Sequence, residues 1–406
     1  MFCRKKLRDL NIKIIDGDRG KNYPKSDDLS ENGDCVFLSA DNIQEGTFDF
    51  SHTKFISLEK DNLMGNGKLF RGDLVLTTRG TVGRFAYYGD DVTFSHIRIN
   101  SGMVIIRNME ESLDTRYLQL FMGSSLFARE VTKAVFGSAQ PQLTLDLIGN
   151  FKINTPIIEE QKEIVSTIEK WDKYIELLDK KIEVKKNVEK YLIQNLLSYK
   201  TIKKDYLKEH RLGDIVSVLK GRGLSKAVLD DNGQEECILY GELYTTYGDI
   251  IDEVSSRTNI SEGVRSVKGD VLVPASTTTN ALDVATASCL MRDDVLLGGD
   301  INIFRPKKDI DGEFLAYYLS YAKKLDMARL AQGITIVHLY GSDLRKMSVT
   351  IPPLQEQKEI VRILTQSNKE IELLENKKTL MEQQRKYLIN NLVTGNIRLP
   401  KFKNNK

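Results

Sequence analysis

Two α/β globules alternating with two long helices, an α+β fold duplicated along one chain, is the architecture the sequence predicts. Three observations carry it. The segment from Pro156 to Leu197 aligns without a gap on the segment from Pro352 to Val393, with 19 identities in 42 positions. Chance does not give this, and such self-similarity marks an internal repeat. Within each copy the apolar residues step by four and three, the seam of a coiled coil. Outside the copies the chain turns to short β-branched runs among Gly, Asp and Thr, the pattern of strands closed by turns.

The elements follow in order: a first globule at 1–155, a helical spacer at 156–205, a second globule at 206–351 and a second spacer at 352–406. In the first globule "DLVLTTRG" (Asp73 to Gly80) and "SGMVIIR" (Ser101 to Arg107) read as strands, and "DTRYLQLFMGSSLFAREV" as helix. The first spacer opens on Pro156 and carries its seam at Ile164, Ile168, Trp171, Ile175, Leu178 and Ile182. A helix rarely includes the residue before a proline, so Pro156 fits a boundary. Such a helix would be a rod of about 57 Å at about 1.5 Å per residue. In the second globule "DVLVPAS" (Asp270 to Ser276) and "DINIFRP" (Asp300 to Pro306) read as strands, and "DGEFLAYYLSYAKKLDMARL" as helix. The second spacer repeats the seam at Ile360, Leu364, Ile371, Leu374 and Met381, with polar Ser367 and Lys378 in the slots of Trp171 and Ile182. The spacers match more closely than the globules. "RGDLVLTTRGTVG" and "KGDVLVPASTTTN" share a strand frame, but their loops diverge. One scaffold repeated with two different surfaces points to two recognition modules.

Composition narrows the class. A chain of 406 residues exceeds one ordinary core, and 41% apolar with 29% charged residues describes a globular protein. No apolar run is long enough for a membrane span, and "MFCRKKLRDLNIKI" lacks a signal peptide's apolar core, so a cytoplasmic address is expected. A net charge of +2 means that any nucleic-acid binding must come from local basic surfaces, and would be weak for the chain alone. Cys3, Cys35, Cys237 and Cys289 form no C-x-x-C pair, and His52, His96, His210 and His338 are as scattered. Neither a disulfide framework nor a zinc site follows.

Catalytic motifs fare no better. Glu160-Gln161-Lys162 and Glu356-Gln357-Lys358 have the E-x-K spelling of nuclease sites. Such a pair needs a strand end and a further carboxylate to hold Mg²⁺. Here it opens a helix, where Glu suits the positive dipole end. "GNGK" (Gly65 to Lys68) lacks phosphate-loop spacing. No N-P-P-Y or D-P-P-Y tetrapeptide is present. A non-catalytic chain is expected.

The two "EQKEIV" helix starts, the two "KYLI-x-NL" helix ends and the closing "LVTGNIRLP" (Leu392 to Pro400) resemble the specificity subunits of Type I restriction–modification systems. So do "YGELYTTYGDI" (Tyr240 to Ile250), "RGDLVLTTRGTVGRFAYY" (Arg71 to Tyr88) and "GGDINIFRP" (Gly298 to Pro306), and the likeness spans essentially the whole chain. The resemblance implies that each globule is a target-recognition domain for one half of a split site on double-stranded DNA. It implies that the helices form an antiparallel coiled coil about a pseudo-two-fold axis, fixing the half-site spacing. Their outer faces would dock two methyltransferase subunits, with restriction/translocase subunits joining that core. S-adenosylmethionine, ATP and Mg²⁺ would belong to those partners, and none to this chain. A non-enzymatic coiled-coil adaptor with two interaction domains is the rival reading.

Two residue sets follow. Gln161, Lys162 and Glu163, with Gln357, Lys358 and Glu359, are repeated polar residues expected to meet identical partners. Base reading needs side chains that reach base edges from turn-rich segments. In the first globule these are Lys21 and Lys25, Asn42, Arg79 and Thr81, His96 and Arg98, and Gln140 with Gln142. In the second, Lys220, Arg222 and Lys226 surround glycines, and Tyr244, Thr245 and Tyr247 follow a strand end. Ser276, Thr277, Thr278 and Asn280, with His338, complete the set. Core packing competes for Tyr244 and Tyr247, and a satisfied strand histidine for His338.

Overall fold

The computed structural model describes residues 2–136, 141–199 and 206–403. The chain separates into two compact units, one of residues 1–179 with 376–406 and one of residues 180–375. Each long helix is shared between them. The first runs Ile158–Leu196 and the second Leu354–Thr394. No helix among the described residues is long and apolar enough to cross a membrane.

In unit 1 a four-stranded antiparallel sheet has the order Ile12–Asp16, Met103–Asn108, Leu74–Thr77, Phe85–Tyr87. A three-stranded sheet of Lys54–Ile56, Cys35–Leu38 and Ile97–Ile99 packs beside it. Strand Cys3–Lys6 pairs antiparallel with Lys152–Thr155, immediately before the long helix. The expected helical stretch is two helices, Thr115–Met122 and Ser125–Val135, because Asp114 and Ser124 each accept from a backbone N–H and restart the chain. Leu74, Leu76, Tyr117, Phe121 and Ile148 form one core with Ile164 and Ile168 of the first long helix and Leu392 of the second.

Unit 2 repeats the central frame. Val216–Lys220, Ile301–Pro306 and Asp270–Pro274 occupy the same order and antiparallel sense as the first three strands of unit 1. Lys208–Arg211 pairs with Ser348–Ile351 as the first strand of unit 1 pairs with its last. The buried ion pairs repeat too. Arg107 grips Asp73 through Nε (2.8 Å) and Nη2 (2.7 Å), and Arg305 grips Asp270 at 2.8 Å through both. Each carboxylate also accepts a backbone N–H, from Phe70 at 2.7 Å and Val267 at 2.8 Å.

Within unit 1 the two long helices are pinned by charge. Asp172 bonds Arg385, and Lys378 lies 2.6 Å from Asp179. As one helix number rises the other falls, so the segments run antiparallel. Lys185 meets Glu370 and Lys186 meets Glu375 in unit 2, each at 2.7 Å. The seam is buried in step with the sequence pattern, at Ile164, Ile168, Leu178 and Ile182 and at Ile360, Leu364 and Ile371.

The helix starts correct an expectation. Gln161 and Gln357 are completely buried and face their own globules. Gln161 Oε1 accepts from Asp114 N–H at 2.8 Å, while Nε2 donates to Ser112 O (2.9 Å) and Pro156 O (2.8 Å). Gln357 does the same with Asp311 N–H (2.8 Å), Asp309 O (3.0 Å) and Pro352 O (2.8 Å). A side chain with all these bonds made inside the unit has nothing to offer a partner. Lys162 and Lys358 are exposed, Glu163 is half-buried, and exposed Glu359 is paired with Arg362 (2.6 Å).

Candidate nucleic-acid interface

At one edge of each central sheet, where its strands end, three chain segments come together. In unit 1 the first exit follows Asp16, at Gly17, where a Cβ would collide with the Asn100 carbonyl. In unit 2 it follows Lys220, at Gly221, where a Cβ would strike the Gly298 carbonyl. Only glycine permits so close a backbone approach. The second exit follows the central strand. Thr78 N–H donates to Gly102 O at 2.8 Å, and Ala275 N–H to Asp300 O at 2.7 Å. The third segment crosses back beneath it, Leu143 N–H donating to Thr78 O (3.1 Å) and Leu339 N–H to Ala275 O (2.9 Å). The backbone construction is the same in both units.

The side chains mounted on it differ. In unit 1 exposed Arg79 meets Gln142, whose amide oxygen, turned to the guanidinium, accepts from Nε at 3.2 Å and Nη2 at 3.0 Å. In unit 2 Ser276 pairs with His338 in a short antiparallel ladder, Ser276–Thr277 against Val337–His338. Ser276 Oγ donates to Asp300 Oδ2 at 3.1 Å, Lys220 Nζ lies 3.7 Å from Asp300 Oδ1, and the His338 ring stacks on Tyr340 at 5.8 Å. A groove of about 290 Å³ opens among Lys220, Asp300, Asn302, His338 and Tyr340. The sequence does not single out Asp300, because only the fold brings it to Ser276 and His338, whereas Tyr340 lies two residues from His338 along the chain. The comparable signal in unit 1 is Arg19, which pairs with Asp16 (3.0 Å) and donates to Ser101 O (3.3 Å). A cavity of about 620 Å³ in unit 1 lies elsewhere, and none of the predicted reading residues lines it.

The remaining predicted residues sort by exposure. Lys21, Lys25, Arg222, Lys226, Thr245 and Thr278 are exposed. Exposed Asn280 is a helix cap, its side chain accepting from Leu282 N–H at 2.9 Å. Half-buried Tyr247 packs on the core and bonds Ser255, and half-buried Tyr244 lies 6.5 Å from the Tyr240 ring. Thr81 and His96 are half-buried, and Thr81 Oγ1 and His96 Nδ1 have no hydrogen-bond partner among the described residues. Gln140 lies outside the described residues.

Four expectations need correction. Asn42 is buried and committed, accepting from Ser39 N–H (2.8 Å) and donating to Asp49 O (2.9 Å) and His52 O (3.2 Å). Arg98 is buried against Asp61 and donates to the carbonyls of Asp61, Met64, Gly65 and Asn66. Burial alone would raise the Asp61 carboxyl, but the bonds from Lys68 and Arg98 outweigh it and hold its pKa below the usual range. Thr277 is buried with its hydroxyl on Thr279 (2.8 Å), and Ser276 is buried with its hydroxyl on Asp300 (3.1 Å). Each has spent its polar atoms on the fold, so none can reach a base.

Among the described residues no group of three or more His, Cys, Asp and Glu could hold a metal ion. All four cysteines are free thiols, three of them buried, and burial pushes Cys35 up to about 12 and Cys237 up to about 11.

Comparison with known proteins bears on the whole chain. The family described as Type I restriction modification DNA specificity domain matches twice, at residues 5–186 and 204–383. A putative type I restriction enzyme MjaX specificity subunit from Methanocaldococcus jannaschii is 23% identical over 379 residues, covering 88% of this chain and 86% of its own length. A chain from a structure concerned with complex assembly and conformational transition of the type I R-M system superposes with a TM-score of 0.66 at 17% identity, over 98% of both chains. The crystal structure of the HsdS subunit from Thermoanaerobacter tengcongensis gives 0.57 at 18% identity, over 98% of this chain and 97% of that one.

Proposed function

The chain belongs to the Type I restriction–modification DNA specificity family, and from that premise we propose how its two units divide the work. It is the DNA-recognition subunit, and each globule (1–155 and 206–351) reads one half of a bipartite site on double-stranded DNA. One observation carries this reading. The two sheet edges share their backbone bonds from Thr78–Gly102 to Ala275–Asp300, yet carry Arg79 beside Gln142 in one unit and Lys220 and His338 around a buried Ser276 in the other. A conserved mount with different side chains is what two different half-sites require.

The long helices Ile158–Leu196 and Leu354–Thr394, within the spacers at 156–205 and 352–406, act as an antiparallel coiled coil about a pseudo-two-fold axis, fixing the spacing between half-sites. Two methyltransferase subunits dock on the outer helix faces, and restriction/translocase subunits join that core. Support for two equivalent docking sites comes from apolar residues that the seam leaves outside. Leu177, Val184 and Tyr191 recur as Leu373, Leu380 and Tyr387, each step one heptad and each residue 54–65% exposed. Exposed apolar side chains repeated at one helical spacing favour a partner surface over solvent. Methyl transfer from S-adenosylmethionine and ATP- and Mg²⁺-dependent cleavage are assigned to the partners, in the cytoplasm. This chain supplies the address.

The test is to co-express the chain with its methyltransferase and sequence the methylated DNA. A two-part, non-palindromic motif with adenine modified is expected. Without such a motif, and with no footprint on DNA, the adaptor reading would stand instead.

A further inference from the structure

Among the described residues, Arg79 is the one predicted reader whose side chain is both exposed and aimed by a neighbour that leaves its charge intact. Its root is fixed, since its own N–H donates to Gly102 O at 3.2 Å. Its tip is fixed from one side, where Gln142 Oε1 takes the Nε and Nη2 hydrogens at 3.2 and 3.0 Å. The opposite amide orientation would set N–H against N–H. Gln142 is in turn held by buried Leu143, bonded to Thr78 O at 3.1 Å.

The partner's chemistry separates this arginine from the structural ones. Arg98, Arg107 and Arg305 each face a carboxylate that neutralises them. Gln142 is neutral, so the Arg79 cation keeps its full attraction for DNA. A guanidinium offers five N–H donors in a planar fork. With the Nε edge occupied, both Nη1 hydrogens and the second Nη2 hydrogen remain, and no other described residue bonds them. Two parallel donors on one planar edge match the O6 and N7 acceptors of guanine in the major groove. Adenine sets an amino donor beside its N7, and cytosine offers an amino donor there, so both would oppose one arm of the fork.

Given that each sheet edge meets DNA, as argued above, we propose that Arg79, oriented by Gln142, reads a guanine in the half-site belonging to unit 1. The corresponding position in unit 2 is Ser276 beside His338, with no guanidinium, so the contact belongs to one half-site only.

The experiment uses the complete chain with its methyltransferase partner and duplexes carrying the methylated motif, in which each guanine in turn is replaced by 7-deazaguanine. This removes the N7 acceptor and leaves Watson–Crick pairing intact. At one guanine of one half-site the native complex should bind roughly 5- to 150-fold more weakly. The Arg79→Gln complex should bind that duplex and its unmodified parent alike, with the other half-site read as before. The assignment is overturned if the native complex tolerates the replacement at every guanine, if the motif contains no guanine, or if Arg79→Gln keeps the sensitivity. Should the native complex prefer no bipartite sequence at all, the base-reading function itself fails, a different and separable result.

Discussion

Gln161 accepts a hydrogen bond from the Asp114 backbone N–H at 2.8 Å, and Asp114 in turn caps helix Thr115–Met122 by accepting from Tyr117 N–H at 3.0 Å. Gln357, Asp311 and Phe314 repeat both bonds, at 2.8 and 3.0 Å. One glutamine therefore ties each long helix to the helix packed beside it. Gln161→Ala would leave two carbonyls and one N–H buried without partners, at a cost of about 2–4 kcal/mol in that unit. Hydrogen exchange on the isolated chain should show lost protection around 112–122 and 156–165, while Gln357→Ala loosens 309–317 and 352–361. A residue serving only a partner would leave the isolated chain unchanged.

The paired carboxylates beneath the sheets make a second case. Asp73 and Asp270 are buried and each is held in a fork by Arg107 or Arg305. Asp73→Ala strands a partly buried guanidinium and an N–H, and should cost about 3 kcal/mol. Arg107→Lys keeps the charge but loses the planar fork, and should cost about half as much. Urea denaturation of the two variants should preserve that order, and an equal loss would show that fork geometry contributes nothing.

Asp249 gives unit 2 a pH dependence. Burial raises its pKa to about 6, against the pull of a hydrogen bond from Tyr321 (2.9 Å) and of Lys324, while Glu189 adds to the rise. A folded value above the unfolded one means that the protonated form is favoured by folding. The contribution is full below about pH 4 and is lost as pH rises through about 6. Asp249→Asn should therefore stabilise unit 2 at pH 7.5 by about 1–3 kcal/mol and make no difference near pH 4. Thermal melts across that range check it, and parallel native and variant profiles would contradict it.

The exposed heptad residues separate folding from assembly. Leu380→Glu changes a side chain that is 54% exposed, so the chain's own stability should move by less than about 0.5 kcal/mol. Val184→Glu is its counterpart on the first helix. Either variant should reduce methyltransferase occupancy from two copies to one, and the pair together should abolish it, as measured by mass in solution. Retention of two copies in the double variant would move the docking surface elsewhere.

Much of this fold was legible in the sequence because its signals are local or periodic. The strand readings around Leu74–Thr77, Met103–Asn108, Asp270–Pro274 and Ile301–Pro306 rest on β-branched runs, and the helix starts on proline and charge. The seam burial follows from the four-three step. Arg79 with Gln142, and Ser276 with His338, were identifiable as members of turn-rich segments, though their juxtaposition was not. The misread residues are polar ones whose partners are distant backbone. Asn42 and Arg98 look like exposed readers until the carbonyls of His52 and Gly65 are seen to accept from them. The same holds for Gln161 and Gln357. Recurrence at one register marked them as important, but a repeated bracket and a repeated docking contact leave the same trace in one dimension.

The central claim is that the two globules read DNA independently. Replacing residues 206–351 with the corresponding globule of a different specificity subunit, and sequencing the DNA methylated by the resulting complex, tests it most directly. One half of the bipartite motif should change, with the other half and the spacing retained. A motif altered in both halves, or in neither, would contradict the account.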